Sequence, residues 1–248
     1  MPSEAVARLL FEIASVERLG ILEAVGERPR KHAELARRLG ITGSEMSRHL
    51  NRLVAAGLVR KTADGEYAAT PLASALRAGL PFFEVLTAAR DYLLTHEVSV
   101  LGAPFVERLG EVGRGTFERG TYQVVAVQEK ALRSVERRIW VVTEQRFEQA
   151  IPILREKAAR GADVRVIRAR GLLHAERRSG QDVKRNFPVR TLPEVHFFLA
   201  VLDGQAGLCL PDPDGKVDMA TMLLLTDPTG YRWSEDLFLS SWARADTM

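Results

Sequence analysis

Apolar residues in the first third of the chain recur at helical spacing. Val6, Leu9, Leu10, Ile13 and Val16 lie three to four positions apart, and Leu19, Ile21, Leu22 and Val25 continue the stripe. The pattern predicts one helix over 4–26, ended by Gly26 and Pro29. A short helix over 31–39 follows, then a turn at Gly40–Gly43 and a second helix over 44–56. Thr42 and Glu45 have capping-box spacing at its start. On a helical wheel, Met46, Leu50, Leu53 and Val54 face a core, while Ser44, Arg48, Asn51 and Ala55 face away. The pattern then changes to two short extended runs, Leu58–Lys61 and Glu66–Ala69, joined by Thr62-Ala63-Asp64-Gly65. Helix, turn, helix and hairpin in that order make a winged helix-turn-helix.

Beyond the hairpin the pattern predicts a short helix over 71–78 and a strongly apolar one carrying Phe82, Phe83, Val85, Leu86, Ala89, Tyr92 and Leu93. That face must be buried, either on its own domain or against the same helix of a second chain. A homodimer is the expectation, because a short groove-reading module gains affinity from two half-sites. Gly102, Pro104, Gly110, Gly113, Gly115 and Gly120 break the pattern and place a boundary in this stretch. The expected organisation is a winged-helix domain over 1–79, a linker and dimerisation helix over 80–120, and a C-terminal α/β domain over 121–248.

That last domain should open with a helix over 121–137 and a buried strand over 139–143. A helix over 146–160 and a second strand over 164–167 complete a βαβ unit with a parallel strand pair. Residues 169–190 lack apolar anchors and read as a long loop. Apolar runs at 195–202, 206–210 and 222–225 supply further strands of a mixed sheet, and Ser234 is placed to cap a last helix. The fold class is therefore α/β overall, with an α+β winged helix in front.

Charge alters this picture because it is uneven. Residues 28–61 hold nine Lys/Arg against Glu34 and Glu45, whereas residues 191–248 hold three basic and nine acidic side chains. A basic patch on a helix-turn-helix selects a polyanion, and double-stranded DNA is the expected partner. Candidate DNA contacts are Lys31, Thr42, Ser44, Glu45, Ser47, Arg48, Asn51 and Arg52 around the second helix, with Arg60 and Lys61 on the wing. Arg can donate twice to guanine and Asn can pair with the adenine edge. Arg30, beside Lys31, is a further phosphate candidate. The alternative is a winged helix used only for protein contact or dimerisation.

Cys209 is the single cysteine, so no disulfide forms within one chain and no Cys-based metal cluster is expected. A reducing, cytoplasmic setting fits, and no stretch reaches the length of a membrane span. Neither metal nor cofactor is expected. Asp212, Asp214 and Asp218 suggest either calcium or a Pro-Asp-Gly turn, and their spacing falls short of an EF-hand loop. The basic residues Arg168, Arg170, Arg177, Arg178, Lys184, Arg185 and Arg190 either gate an anionic effector, touch DNA, or form a solvated surface. Glu144, Arg168, Arg170, His196 and Asp203 are the candidate residues for a small-molecule effector.

Three resemblances sharpen these expectations. Gly20-Ile21-Leu22, residues 33–39 and residues 53–59 are similar to the dimerising winged helix of small-molecule methyltransferases. Their catalytic domain opens with a strand leading to a glycine-rich loop, and Thr143-Glu144-Gln145-Arg146 contains no glycine. The winged helix together with the tail resembles archaeal regulators of the methanogenesis regulatory protein family. The tail residues are 210–218 (Leu-Pro-Asp-Pro-Asp-Gly-Lys-Val-Asp), Asp227-Pro228, Trp233–Phe238 and Trp242. That likeness implies a transcription regulator with a C-terminal domain for effector binding or assembly. The βαβ unit resembles the phospholipase D-like domain of sugar-responsive archaeal regulators. His196, Phe198 and Asp203 stand where that family's His-x-Lys-x4-Asp would fall, and the phosphate-holding Lys is replaced. Without it a nucleophilic His is not expected to hydrolyse a phosphodiester, and the chain is expected not to be an enzyme.

Overall fold

A computed structural model describes residues 3–145, 149–172 and 186–247. The predicted start of the 146–160 helix and the basic residues Arg177, Arg178, Lys184 and Arg185 lie outside those residues. The chain divides into two compact units, 1–81 and 82–248.

In the first unit the predicted 4–26 helix is two helices, α1 (Glu4–Ile13) and α2 (Val16–Glu27). The stripe was continuous, but two side chains break the backbone ladder. Ser15 caps α2 by accepting from the Arg18 N–H at 3.3 Å. The Arg18 guanidinium, buried, donates to the carbonyls of Glu12 and Phe11 and so satisfies the last turn of α1. Next come α3 (His32–Leu39) and α4 (Gly43–Ala55). Gly40, at φ 65°, ends α3 in the left-handed conformation that a side chain would oppose. Strands β1 (Val59–Lys61) and β2 (Tyr67–Ala69) pair antiparallel with Lys61 opposite Tyr67, and Arg30 bridges Tyr67 from outside. Ile21, Leu22, Leu35, Met46, Leu50, Leu53 and Leu58 form the fully buried core beneath them.

Helix α5 (Pro71–Ala88) is continuous through Pro81, where two helices were expected. Val85 is buried in the core of the second unit, and so is Tyr92 of α6 (Arg90–Leu93). Phe83, Leu86 and Leu94 remain exposed. The glycine-rich stretch is not a linker. Leu101, Phe105 of α7 (Ala103–Val106), Leu109 and Val112 are all buried in that same core. The break in periodicity marks short helical turns, not a boundary.

The second unit is built on an eight-stranded mixed sheet, in the order β10-β6-β5-β4-β7-β8-β9-β3. Its strands are β3 (Thr116–Arg119), β4 (Arg138–Thr143), β5 (Asp163–Ala169), β6 (Val189–Leu192), β7 (Phe198–Leu202), β8 (Gln205–Cys209), β9 (Thr221–Leu225) and β10 (Asp246–Thr247). β4, β5 and β6 run parallel, as the βαβ reading required for the first two. β6 begins inside the stretch read as loop and runs two residues past it, because four residues with two buried side chains leave too short a pattern. Helix α8 (Thr121–Ser134) and α9 (Ala150–Ala159) contribute Leu132 and Leu154 to the cluster on one sheet face. Helix α10 (Pro228–Arg244) packs Trp233, Leu237 and Phe238 on the other. Its cap is Asp227, accepting from Thr229 and Gly230 at 3.1 Å each. Ser234, the expected cap, is buried mid-helix and donates back to the Gly230 carbonyl at 2.9 Å.

Candidate nucleic-acid interface

Helix α4 starts with the predicted capping box. Thr42 accepts from the Glu45 N–H at 3.3 Å, and Glu45 accepts from the Thr42 N–H at 2.9 Å and from its hydroxyl at 2.7 Å. The Thr42 hydroxyl and backbone hydrogen bonds hold the Glu45 carboxyl below its ordinary 4.5. These two residues set the helix start, where the macrodipole is positive and a phosphate is favoured. The buried face of α4 is Met46, His49, Leu50 and Leu53. Val54, expected in the core, is exposed, and His49 takes part of the inner face, its Nδ1 without a partner among the described residues. Ser44, Ser47, Arg48, Asn51 and Ala55 point outward. Ser47 is tied to His32 of α3 at 2.9 Å, which fixes the spacing of the two helices.

The structure sorts the nine basic residues of 28–61 into two sets. Arg28 pairs with Glu34 at 2.6 Å and Arg38 with Glu27 at 2.9 Å. Arg30 is buried, paired with Glu27 and Glu34, and donates to the Ala24 carbonyl at 2.8 Å. It holds α2 to the wing and is not a phosphate contact. Arg52, expected in the groove, is drawn aside. It pairs bidentately with Glu12 at 2.9 and 3.0 Å and covers the Phe11 ring at 5.0 Å. Those hydrogen bonds hold Glu12 below its ordinary value. Lys31, Arg37, Arg48, Arg60 and Lys61 are exposed and carry no ion pair among the described residues. Arg37, near the end of α3, was not among the candidate contacts but is exposed with the others. Lys61 lies over Tyr67 at 5.9 Å, near the hairpin tip.

The five candidate effector residues are not brought to one site. Asp203 accepts from the N–H groups of Glu136, Arg137 and Arg138 at 2.8–2.9 Å. Partial burial opposes its ionisation, but the three donors outweigh that and hold it below 3.8. It is a structural clamp. His196 lies at the opposite end of β7, half exposed and 3.1 Å from Glu194. Phe198, in place of a lysine, is buried. Arg170 pairs with Asp246, and Glu144 accepts from the Val217 N–H at 3.3 Å. Arg168 is buried on β5. Arg190 donates to the Trp242 carbonyl at 2.7 Å, so it belongs to the packing of α10. The Asp212 carboxylate accepts from Asp214 and Lys216 N–H groups at 3.0 Å each, which makes a turn. Asp218 turns instead to His96 at 3.1 Å. Among the described residues no group of three His, Cys, Asp or Glu is placed to hold a metal ion, and no helix is long and apolar enough to cross a membrane.

Residues 7–90 match the family model described as the HVO_A0261 N-terminal domain. No curated protein matches the chain. Solved structures similar to it include TrmBL2, an archaeal chromatin protein, at 16% identity over 94% of each chain and TM-score 0.44. Nuc from Salmonella typhimurium, a phospholipase D family member, is similar over 54% of this chain and 99% of its own, at 13% identity and TM-score 0.41. NolR from Sinorhizobium fredii is similar over 31% of this chain and 81% of its own, at 28% identity and TM-score 0.29. These superpositions are loose, so the functional reading rests on the interface itself.

Proposed function

We propose that the chain is a sequence-specific DNA-binding transcription regulator, acting as a homodimer and answering to an effector through its second unit. The observation that carries DNA binding is the sorting of charge around α4. Four arginines are spent on internal ion pairs, while Lys31, Arg37, Arg48, Arg60 and Lys61 stay exposed on α3, α4, their flanks and the wing. Arg48 and Asn51, one turn apart on the outer face, are suited to base edges, and the wing to phosphate. In this reading Thr42, Ser44, Glu45 and Ser47 present the helix start to the duplex. The exposed Phe83 and Leu86 on α5 are the proposed dimer contact. The proposal includes the likeness of the tail to methanogenesis regulators and of the sheet to a degenerate phospholipase D-like domain, with no catalytic role. The separation of His196 from Asp203 and the buried Phe198 support the last point.

Selection of bound DNA from a random pool tests this reading. A defined, roughly two-fold symmetric site should emerge, and log affinity should fall against log salt with a slope of about −4 per protomer for about four phosphate contacts, Lys31, Arg37, Arg60 and Lys61. Arg48→Ala should weaken binding to that site by about 1–3 kcal/mol and relax one base position. Absence of association even in dilute buffer would overturn the proposal. A stable protein partner in place of DNA would favour the interaction-module reading.

A further inference from the structure

The second unit contains a cavity of about 150 Å³ that the DNA-facing machinery does not use. It lies between one face of the sheet and helices α8 and α9. Strand register builds its floor. Val189, Val166, Val141 and Ala200 stand side by side across β6, β5, β4 and β7, in one straight row. Leu132 from α8 and Leu154 from α9 supply walls. Two residues further along the parallel strands, on the same face, comes a second row of different chemistry. Thr143, Arg168 and Thr191 are neighbours across β4, β5 and β6. All three are buried polar residues. The cavity is thus largely apolar, with Gln128, Glu129, Gln145 and Gln149 also on its walls, and it carries the Arg168 guanidinium at the carboxyl ends of the parallel strands, the end at which open α/β sheets bind ligands.

From this we propose that the slot binds a small apolar carboxylate, with its hydrocarbon on the valine floor and its carboxylate against Arg168. Size and charge select that class. A largely apolar cavity of about 150 Å³ takes a benzene-sized group. A buried guanidinium at one end favours an anion there. With five N–H donors in a planar fork, it can take an acceptor from a ligand alongside a partner from the chain. Val141 and Ala200 are only half-buried although they sit mid-strand on this face, which leaves the floor reachable. The inference deepens the effector-sensing part of the proposed function but does not rest on DNA binding.

Calorimetric titration of the full chain with benzoate, without nucleic acid, tests it. Saturable binding with Kd of about 1 mM or tighter is expected. Benzamide, the neutral counterpart, should bind at least about tenfold more weakly. Ala200→Leu, which fills the floor, should also weaken benzoate by at least about tenfold. Arg168→Met should abolish the preference for benzoate over benzamide. If that variant does not fold, the benzamide comparison on the unaltered protein and Ala200→Leu still decide. Lack of saturable benzoate binding, equal binding of benzamide, or unaltered affinity in Ala200→Leu would each overturn the assignment. Failure of DNA binding would leave it standing, because no arm of the experiment contains DNA.

Discussion

Arg48 and Arg52 lie one turn apart on α4, carry the same charge, and do different work. Arg52 is held by Glu12 forty residues upstream, whereas Arg48 is exposed with no ion pair among the described residues. Helical spacing put both on the solvent side of the wheel. Only the fold of α1 against α4 separates them. Asp203 teaches the same lesson in the other unit. In the chain it stands seven positions after His196, a spacing with a catalytic resemblance. In the fold it gathers three backbone N–H groups at the start of β4. Asp203→Ala should therefore destabilise the second unit by about 1–3 kcal/mol, because three donors lose their acceptor. Chemical denaturation followed by tryptophan fluorescence reads this directly, since Trp140, Trp233 and Trp242 all lie in that unit. An unchanged midpoint would show that water replaces the carboxylate at no cost.

Among the elements, those with long periodic patterns were legible and those set by a single side chain were not. α3, α4, the wing and the β4–β5 pair fall within a few residues of expectation. The break between α1 and α2 depends on the Ser15 cap and the Arg18 bridge, neither of which disturbs apolar spacing. Asp227 rather than Ser234 starts α10 because Pro228 follows it and suits a first helical turn. The capping box of α4 was legible because both partners are local. Its removal makes a clean test: Thr42→Ala should destabilise the first unit by about 1 kcal/mol. Far-ultraviolet ellipticity against urea measures it, and a variant as stable as the parent would leave Glu45 alone holding the helix start.

At the scale of the molecule, acid stability follows from the ion pairs and the helix-cap hydrogen bonds of the first unit. Glu12, Glu17, Glu27, Glu34 and Glu45, all in the first unit, are held below their ordinary 4.5. A carboxyl depressed in the folded state contributes stability that is fully present above 4.5 and lost as pH falls through the lower folded values. Helical ellipticity against temperature should show a midpoint nearly constant from about pH 7 to 5 that drops below about pH 4.5. High salt should blunt part of the drop, since the Arg38–Glu27 pair is exposed on both sides and is screened. A midpoint unchanged down to about pH 3 would show that the pairs contribute nothing to folding.

The amino-acid order alone determined the winged helix, the parallel strand pair and the basic character of 28–61. Each of these is encoded by neighbours within a turn, a hairpin or a single βαβ unit. Tertiary structure decided the rest. It gave most of the 80–120 stretch, expected as linker, to the second unit, because Leu101, Phe105, Leu109 and Val112 find their burial partners far along the chain. It chose which arginines face outward, because their carboxylate partners come from other helices. It also aligned Thr143, Arg168 and Thr191 across three strands, a juxtaposition that strand register creates and linear spacing cannot show.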